Sequence, residues 1–389
     1  MRIARVLTRL NLGGPARQAL AADTQLAARG HDVRLYAGTP LPGEGDLFDD
    51  FVARGLSVER VPGLGRGITG VGDLRALAAL KSRFRAFQPD VVHTHASKAG
   101  ALGRRAAAAS VPRAARVHTF HGHVLEGYFP EPISRGLVAL EARLARDTDR
   151  VLAVAHATAE DLLRLKVLPD ERRLLVVPPG IDLDPFLAIE KRHGALRGLV
   201  GAKETDYLVG VVGRLAEVKQ PELALDVLGL LAVKYPRLQL VYVGDGELRG
   251  SLERRIRALS PDLQARVHMV GAQTDMPAIL ADLDAVLLTS RAEGAPVALI
   301  EAAAAGKPAI AMSVGGVPEL VAHERTGWLG ASTDELAYGL SQFLENPALS
   351  SGLAVRARLR VEKRHSAAAL ADRLEDVYAR VVEERTCAS

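Results

Sequence analysis

The chain has one cysteine, few aromatic residues and no long uncharged apolar run, and these shortages narrow the kinds of protein that it can be. The single cysteine, Cys387, excludes a disulfide within the chain and is typical of a protein from a reducing compartment. A run of about 18 uncharged apolar residues, which a membrane-spanning helix requires, is absent. The first nine residues carry three arginines, so we interpret them as a strand and not as a signal peptide. These features predict a soluble, cytoplasmic protein.

Positive charge is concentrated in the first half of the chain. Residues 1–180 hold 26 Lys and Arg against 18 Asp and Glu, a net charge of +8 within a total of +4. A basic half can face nucleic acid, an anionic membrane or an anionic substrate, or it can simply carry solvated helix faces. Dense basic runs with interleaved aromatic residues are missing, so we expect no nucleic-acid partner.

Short apolar strands alternate with amphipathic helices in both halves, which predicts an α/β protein with two Rossmann-like, doubly wound parallel sheets. The predicted strands of the first half are Ile3–Thr8, Asp32–Ala37, Asp90–Thr94, Arg116–Phe120, Val151–Val154 and Leu174–Val177. Those of the second half are Leu208–Val212, Gln239–Val243, Val267–Val270, Ala285–Thr289 and Ala309–Met312.

Turn-forming residues at Pro178–Pro185 separate the two series, and we place a hinge there. We therefore predict an N-terminal domain at 1–180 and a C-terminal domain at 181–364. A last helix at 365–389 is predicted to pack back on the first domain. Two open sheets of this kind are expected to face each other across a cleft, which is a favoured place for ligands.

The stretch 291–301 places two carboxylates around a predicted strand-to-helix turn. Glu293 lies in the loop at the helix N-terminus, and Glu301 lies about two turns into the helix. Such loops at the carboxyl edge of a parallel sheet bind nucleotides and phosphates, and carboxylates accept hydrogen bonds from sugar hydroxyls. The pattern indicates a nucleotide-sugar site. The alternative is a helix N-terminal charge and an exposed helix residue.

Cations and glycines follow the other predicted strands of the second half. Arg214 and Lys219 share one loop after Gly213, where a guanidinium can grip a diphosphate bidentately and an ammonium adds a point charge. The alternative is a surface loop with two ordinary charges. Glycines that end neighbouring strands would singly mark only turns, but together they indicate a ligand site; they are Gly244, Gly246, Gly271, Gly315 and Gly316.

The first half offers paired glycines, Gly13 and Gly14, between its first strand and first helix, where a phosphate can bind. Histidines are clustered at two strand ends: His93 and His95, then His118, His121 and His123. Residues i and i+2 of a strand share a face, so zinc is one interpretation and core histidines are another. Cations and aromatics nearby could border an acceptor groove; we name His95, Lys98, Arg104, Arg105, Tyr128 and Phe129.

Taken in order, these motifs resemble the retaining nucleotide-sugar glycosyltransferases of family 4, which have the GT-B fold. The resemblance is strongest from about 205 to 325 and is carried by Arg214 with Lys219, Gly244–Gly246, Glu293 and Gly294 with Glu301, Ala305–Pro308 and Gly315–Glu319. It implies that Arg214 and Lys219 bind the donor diphosphate and that Glu301 binds the ribose. It also implies that Glu293 holds hydroxyls of the transferred sugar, with backbone amides near Gly294 assisting.

For the first half, the resemblance implies that His121 touches the donor sugar or its phosphate and that Gly13 and Gly14 face the donor phosphates or the acceptor. The catalytic set is then Arg214, Lys219, His121 and Glu293. The chain departs from the family at Pro15 and Ala16, where an acidic residue is frequent.

The implied activity is transfer of a hexose-type sugar from a nucleoside diphosphate to a glycan or lipid-linked acceptor, with retention and without a metal or other cofactor. Cell-envelope or polysaccharide biosynthesis would use such a reaction, and an anionic surface on the inner face of the membrane is a further expected partner. The alternatives are a nucleotide-sugar epimerase or a phosphorylase on the same fold, or a nucleotide-sugar-binding protein without activity. The donor base, the sugar and the acceptor stay open.

Overall fold

The structure, a computed structural model, describes residues 1–41, 44–65, 67, 69–122, 125, 130–168 and 170–387. The chain divides into two compact units, Met1–Asp182 with His365–Ser389, and Leu183–Arg364. These divisions lie next to the predicted boundaries at 180 and 364. Among the described residues, no helix has both the length and the apolar character needed to cross a membrane.

The first unit is built on a parallel sheet with the strand order β3-β2-β1-β4-β5-β6-β7. Its strands are β1 (Arg2–Leu7), β2 (Asp32–Ala37), β3 (Ser57–Arg60), β4 (Val91–His95), β5 (Ala115–Phe120), β6 (Arg150–Ala153) and β7 (Leu174–Val176). The central strands are almost completely buried because helices cover both faces, which explains their continuous apolar sequences. The order reverses at β1, between β2 and β4, and ligands of doubly wound folds bind at such a reversal.

The helices of the first unit connect successive strands. They are α1 (Gly14–Ala28), α2 (Phe48–Ala53), α3 (Val71–Phe87), α4 (Ser97–Ser110), α5 (Glu131–Arg146) and α6 (His156–Arg164). Helix α5 carries Pro132 in its first turn, where the missing N–H of proline costs nothing.

The second unit carries a parallel sheet with the order β10-β9-β8-β11-β12-β13. Its strands are β8 (Tyr207–Val212), β9 (Leu238–Val243), β10 (Val267–Gly271), β11 (Ala285–Leu288), β12 (Ala309–Met312) and β13 (Trp328–Gly330). The order reverses at β8, between β9 and β11, so the expected ligand position is at the carboxyl ends of β8 and β11.

The helices of the second unit differ widely in length. They are α7 (Asp184–Leu187), α8 (Ala195–Val200), α9 (Glu222–Leu231), α10 (Arg249–Arg257), α11 (Pro261–Gln264), α12 (Met276–Asp282), α13 (Val297–Ala304), α14 (Val317–Leu320), α15 (Thr333–Glu345) and α16 (Pro347–His365). Leu225, Leu228 and Leu231 of α9 pack with Leu336 and Leu340 of α15 over this sheet.

The last helix, α17 (Ala367–Cys387), belongs to the first unit. Its apolar face, which includes Leu374, Tyr378 and Val381, is buried in one cluster with Ile3 and Leu26. Polar contacts hold the other face to the same unit. A hydrogen bond joins His31 to Glu375, and ion pairs join Arg150 to Glu384 and Asp149 to Arg385. This helix therefore supplies part of the core beneath the first sheet.

Candidate functional site

The reversal of the second sheet carries a small recess. Its walls come from the ends of β8 and β11 and from the loops that follow them. The lining residues are Val211, Val212, Gly213, Arg214, Leu215, Lys219, Pro221, Leu288, Thr289 and Ser290. Both cations that the sequence assigned to a diphosphate thus lie at the position where the topology favours a ligand.

Lys219 and Glu293, which are far apart in sequence, form an ion pair beside this recess. The Lys219 Nζ donates to Glu293 Oε1, and the Ser290 Oγ donates to the same oxygen over 2.6 Å. Two donors therefore fix the orientation of a carboxylate that is mostly buried. Sequence reasoning named both charged residues but missed their direct contact and the part played by Ser290.

Hydrogen bonds to backbone carbonyl oxygens hold the two loops against each other. The Thr289 Oγ1 donates to the carbonyl oxygens of Lys219 and Gln220, both at 2.9 Å. The Arg291 N–H donates to the Val218 carbonyl, also at 2.9 Å. These bonds tie the loop of the cations to the loop of Glu293, so the ion pair sits on a rigid support.

Arg214 is held much more loosely than Lys219. Its nearest acidic partner is Glu247, with Nη1 3.9 Å from Oε2, and its side chain is 42% exposed. An exposed pair at this distance contributes little, about 0–1 kcal/mol. The guanidinium can therefore turn to an incoming anion at small cost.

The glycine loops of the second unit pack backbone against backbone. A Cβ on Gly244, whose φ is +143°, would lie 2.0 Å from the Gly213 carbonyl oxygen, and one on Gly246 would lie 2.4 Å from that of Leu215. The Gly244 N–H donates to the Gly271 carbonyl at 2.8 Å. These glycines therefore permit the close approach of three strand-end loops, and their contact with a donor stays a prediction.

Gly315 supports Glu293 from a third loop. A Cβ on Gly315 would lie 2.0 Å from the Glu293 carbonyl oxygen, and the Gly316 N–H donates to that oxygen at 3.0 Å. The glycine pair after β12 was visible in the sequence, but its contact with Glu293 was not.

Glu301 and Gly294 are both buried. Glu301 is 4% exposed on α13, so the alternative of an exposed helix residue is wrong. Gly294 is buried in the loop between β11 and α13. A charged side chain is rarely buried to this degree unless it is paired.

In the first unit, a chain of buried side chains leads to His121. The Arg5 guanidinium donates to Asp23 Oδ1 at 2.6 Å, and its other terminal nitrogen contacts His95 Nε2 at 3.0 Å. The His95 Nδ1 lies 2.9 Å from His121 Nε2, and the two rings are stacked. Sequence analysis named both histidines but missed Arg5 and Asp23, which lie on a strand and a helix that read as ordinary core.

The other two described histidines of the cluster are bound within the core. His93 contacts the Tyr378 hydroxyl at 2.6 Å and Thr119 Oγ1 at 2.7 Å, and His118 Nδ1 contacts Thr94 Oγ1 at 2.8 Å. The described residues contain no group of three His, Cys, Asp or Glu side chains suited to a metal ion. The core-histidine interpretation therefore fits His93 and His118.

Burial holds these imidazoles in their neutral form. Burial lowers the pKa of His93, His95 and His118 well below 6.5, with the nearby Arg5 or Arg104 charges acting in the same direction. Burial, assisted by the Arg5 charge, lowers the pKa of His121 to about 3. At neutral pH, His121 is therefore a neutral ring with one N–H.

Two residues that were predicted to face the acceptor are instead buried and bonded within the first unit. The prediction that Arg104 faces an anionic acceptor is wrong, because Arg104 is 3% exposed and pairs with the buried Glu141 of α5. His95 is also buried, and its two ring nitrogens form hydrogen bonds with Arg5 and His121.

The structure describes some of the remaining predicted residues of the first unit and leaves others out. Lys98 pairs with Asp73 at 2.6 Å and donates to the Gly67 carbonyl, so it is engaged by its own unit. Gly13 caps α1 at the end of the β1 loop, and Gly14 begins the helix. His123, Tyr128 and Phe129 lie outside the described residues.

Two sequence-family models match the chain. The model described as "Glycosyl transferases group 1" matches residues 196–376, and "Glycosyltransferase Family 4" matches residues 12–185. Together they span both units and cover the strand-end loops described above.

Individual relatives match the chain at moderate identity. The chain is 32% identical over 277 residues, 69% of each chain, to an Escherichia coli "UDP-Gal:alpha-D-GlcNAc-diphosphoundecaprenol alpha-1,3-galactosyltransferase". It is 29% identical over 397 residues, 96% of this chain and 93% of the relative, to a "D-inositol 3-phosphate glycosyltransferase" of Xylanimonas cellulosilytica.

Solved structures share the fold. Anabaena HepE in complex with UDP-glucose matches 97% of this chain and 99% of its own, with a TM-score of 0.81 and 21% sequence identity. At this identity, the similarity supports the two-sheet GT-B architecture and nothing more specific.

Proposed function

The chain belongs to the glycosyltransferases that these two family models describe, and on that premise we propose that it transfers a hexose-type sugar from a nucleoside diphosphate with retention of anomeric configuration. The observation that carries this proposal is Lys219 paired with the oriented Glu293 carboxylate, beside the loosely held Arg214. Cations suit a diphosphate, and a fixed carboxylate suits the hydroxyls of a sugar. The proposed acceptor is a glycan or a lipid-linked sugar, as the name of the Escherichia coli relative indicates for that protein.

In the proposed reaction, the bond between the anomeric carbon and the diphosphate oxygen breaks as the acceptor hydroxyl oxygen attacks from the same face. The acceptor proton moves to the departing diphosphate. Negative charge grows on the leaving group, and Arg214 and Lys219 stabilise it electrostatically. These two cations do the work for which other transferases use a metal ion, so we expect a chelator such as EDTA to leave the rate unchanged.

The other proposed roles are those that the family resemblance implies. Glu293 holds hydroxyls of the transferred sugar, Glu301 binds the ribose, and backbone amides at Gly294 assist. Strand-end glycines let the backbone approach the donor; they are Gly13, Gly14, Gly213, Gly244, Gly246 and Gly271. His121 donates a hydrogen bond to the donor sugar or its phosphate.

A direct assay tests the reaction class. The protein is incubated with UDP-glucose or UDP-galactose and a lipid-linked sugar acceptor, and the products are separated and examined by NMR. We expect release of nucleoside diphosphate that requires the acceptor, and an α-anomeric product from an α-linked donor. Turnover of donor without acceptor would favour an epimerase, a requirement for phosphate would favour a phosphorylase, and an inverted product would contradict retention.

Glu293→Gln should lower kcat/KM by about 10-fold to 100-fold, the range for loss of one hydrogen bond to a charged group. The amide no longer pairs with Lys219 and holds a sugar hydroxyl less strongly. Steady-state kinetics with varied donor measure the effect. The matched control is Glu345→Gln, which breaks an exposed pair with Lys234 in the same unit. Equal activity of the two variants would remove Glu293 from the donor site.

We also propose that the first unit binds the inner face of an anionic membrane, where a lipid-linked acceptor resides. Helix α3 begins with two exposed apolar residues, Val71 at 72% and Leu74 at 69%. Basic residues follow on the same helix; they are Arg75, Lys81, Arg83 and Arg85. Apolar insertion beside basic charge is the pattern of interfacial helices.

Co-sedimentation with vesicles that contain phosphatidylglycerol measures this contact. We expect binding at low salt that weakens at high salt, because salt screens the attraction between surface charges. Leu74→Ser should reduce binding, whereas Leu199→Ser, an equally exposed leucine on α8 of the second unit, should not. Absence of binding at both salt concentrations would contradict the proposal.

A further inference from the structure

We propose that Asp23, Arg5 and His95 are positioning residues that fix His121 as its Nδ1–H tautomer, so that His121 presents one permanent hydrogen-bond donor to an oxygen of the sugar nucleotide. The identity of that ligand rests on the proposed function. The tautomer itself is a property of the free protein, so it can be tested independently of the proposed function.

The argument begins at the buried pair of Arg5 and Asp23. The Arg5 Nη1 donates to Asp23 Oδ1 at 2.6 Å, and both side chains are almost completely buried. A guanidinium stays charged in proteins and has donors but no acceptor. The Asp23 carboxylate therefore anchors a group whose second terminal nitrogen, Nη2, can only donate.

The next contact fixes the proton on His95. The Arg5 Nη2 lies 3.0 Å from His95 Nε2, so this ring nitrogen must accept and carries no hydrogen. Burial lowers the pKa of His95, which keeps the ring neutral with a single N–H. That hydrogen is consequently on Nδ1.

The proton on His95 in turn fixes the proton on His121. The His95 Nδ1–H points at His121 Nε2 over 2.9 Å, so His121 accepts at Nε2. The pKa of His121 is lowered to about 3, which makes its ring neutral as well. Its one hydrogen therefore resides on Nδ1, because the bond made by one ring nitrogen decides the proton of the other.

The His121 Nδ1 has no hydrogen-bond partner among the described residues, although the atom is buried. Buried polar groups without partners are uncommon and costly, so such a donor is expected where a ligand supplies the acceptor. A neutral N–H suits a hydroxyl or phosphoryl oxygen. With its other nitrogen occupied by His95, His121 cannot take a proton from the acceptor hydroxyl, and it acts as a donor only.

Nitrogen-15 NMR of histidine-labelled protein at pH 7 reads the tautomer without any substrate. The His121 resonances are assigned from the spectrum of His121→Asn. We expect Nδ1 to be protonated and Nε2 to be unprotonated. A protonated Nε2, or an equal mixture of the two forms, would overturn the proposal.

Two variants of His95 separate the positioning role from a general loss of structure. The side-chain amide nitrogen in His95→Asn can still donate to His121, whereas His95→Leu removes the donor. We expect His95→Leu to populate the Nε2–H form and to lower kcat by about 10-fold to 100-fold, as for outer partners of functional histidines. We expect His95→Asn to keep the tautomer and most of the rate. If His95→Leu retains the Nδ1–H form, the proposal is wrong.

The outcomes distinguish this proposal from the proposed function. If the NMR result is as expected but His121→Ala transfers sugar at the full rate, the substrate role of His121 fails while the tautomer assignment stands. If the free protein holds the other tautomer, the positioning proposal fails whatever the activity shows.

Discussion

We expect Lys219→Ala to lower kcat for the proposed sugar transfer by about 100-fold or more, the usual loss when one preorganised donor to a developing negative charge is removed. Lys219 lines the recess at the sheet reversal and also orients Glu293. Its loss would therefore remove a partner from the carboxylate and, in the proposed reaction, a cation from the leaving group. Single-turnover kinetics at saturating donor separate this effect from donor binding.

The matched control for this result is Lys234→Ala. Lys234 also pairs with a glutamate of the second unit, Glu345, but on the exposed surface. Its removal should leave kcat within about twofold, because exposed ion pairs contribute little. If Lys219→Ala keeps the wild-type rate, the assignment of this loop to the diphosphate is wrong.

We expect the free energy of unfolding to fall steeply as the pH drops below about 6.5, the ordinary pKa of histidine. His93, His95, His118 and His121 all have lowered pKa values in the folded protein, that of His121 to about 3. Below pH 6.5 the unfolded chain binds protons that the folded chain does not. Each histidine therefore contributes stability above its unfolded pKa, and that stability is lost as the pH falls.

Each of these histidines adds up to about 1.4 kcal/mol per pH unit to the slope of stability against pH. Urea unfolding at intervals between pH 7.5 and pH 5 measures this slope. Asp23 acts in the opposite direction, since burial raises its pKa against the influence of Arg5. His118→Asn should reduce the slope in this interval, even where it also lowers the stability itself. A stability that is flat from pH 7.5 to pH 5 would contradict the buried, neutral histidines.

Periodicity predicted the central parts of both sheets because their strands are buried on both faces and therefore apolar throughout. It missed β3 and β13, which lie at sheet edges and have four and three residues. An edge strand is covered on fewer sides, so its sequence carries polar residues; in β3 these include Glu59 and Arg60. The short helices α2, α7, α8 and α11 have four to six residues, which is too few to show a helical period in the sequence.

The sequence named Lys219, Glu293 and His95 as candidate site residues, but it did not predict the contacts that they make. Lys219 and Glu293 are 74 positions apart, and Arg5 and His95 are 90 apart, so local pattern gave no sign of either contact. Local sequence also gave no sign that Arg104 is buried. Its helix is rich in alanine, and nothing in that sequence indicates which face α5 covers with Glu141.

The central claim is that the loops after β8 and β11 bind a nucleoside diphosphate sugar, and thermal unfolding with added nucleotides tests it most directly. UDP, UDP-glucose, UDP-galactose, GDP and ADP are each added to the wild-type protein and to the Arg214→Ala/Lys219→Ala variant. At 100 times Kd, a bound nucleotide stabilises the folded state by about 2.7 kcal/mol. We predict that at least one of these ligands raises the midpoint of the wild type and that the variant loses this shift. A wild type that responds to none of them, or a variant that keeps the full shift, would contradict the claim.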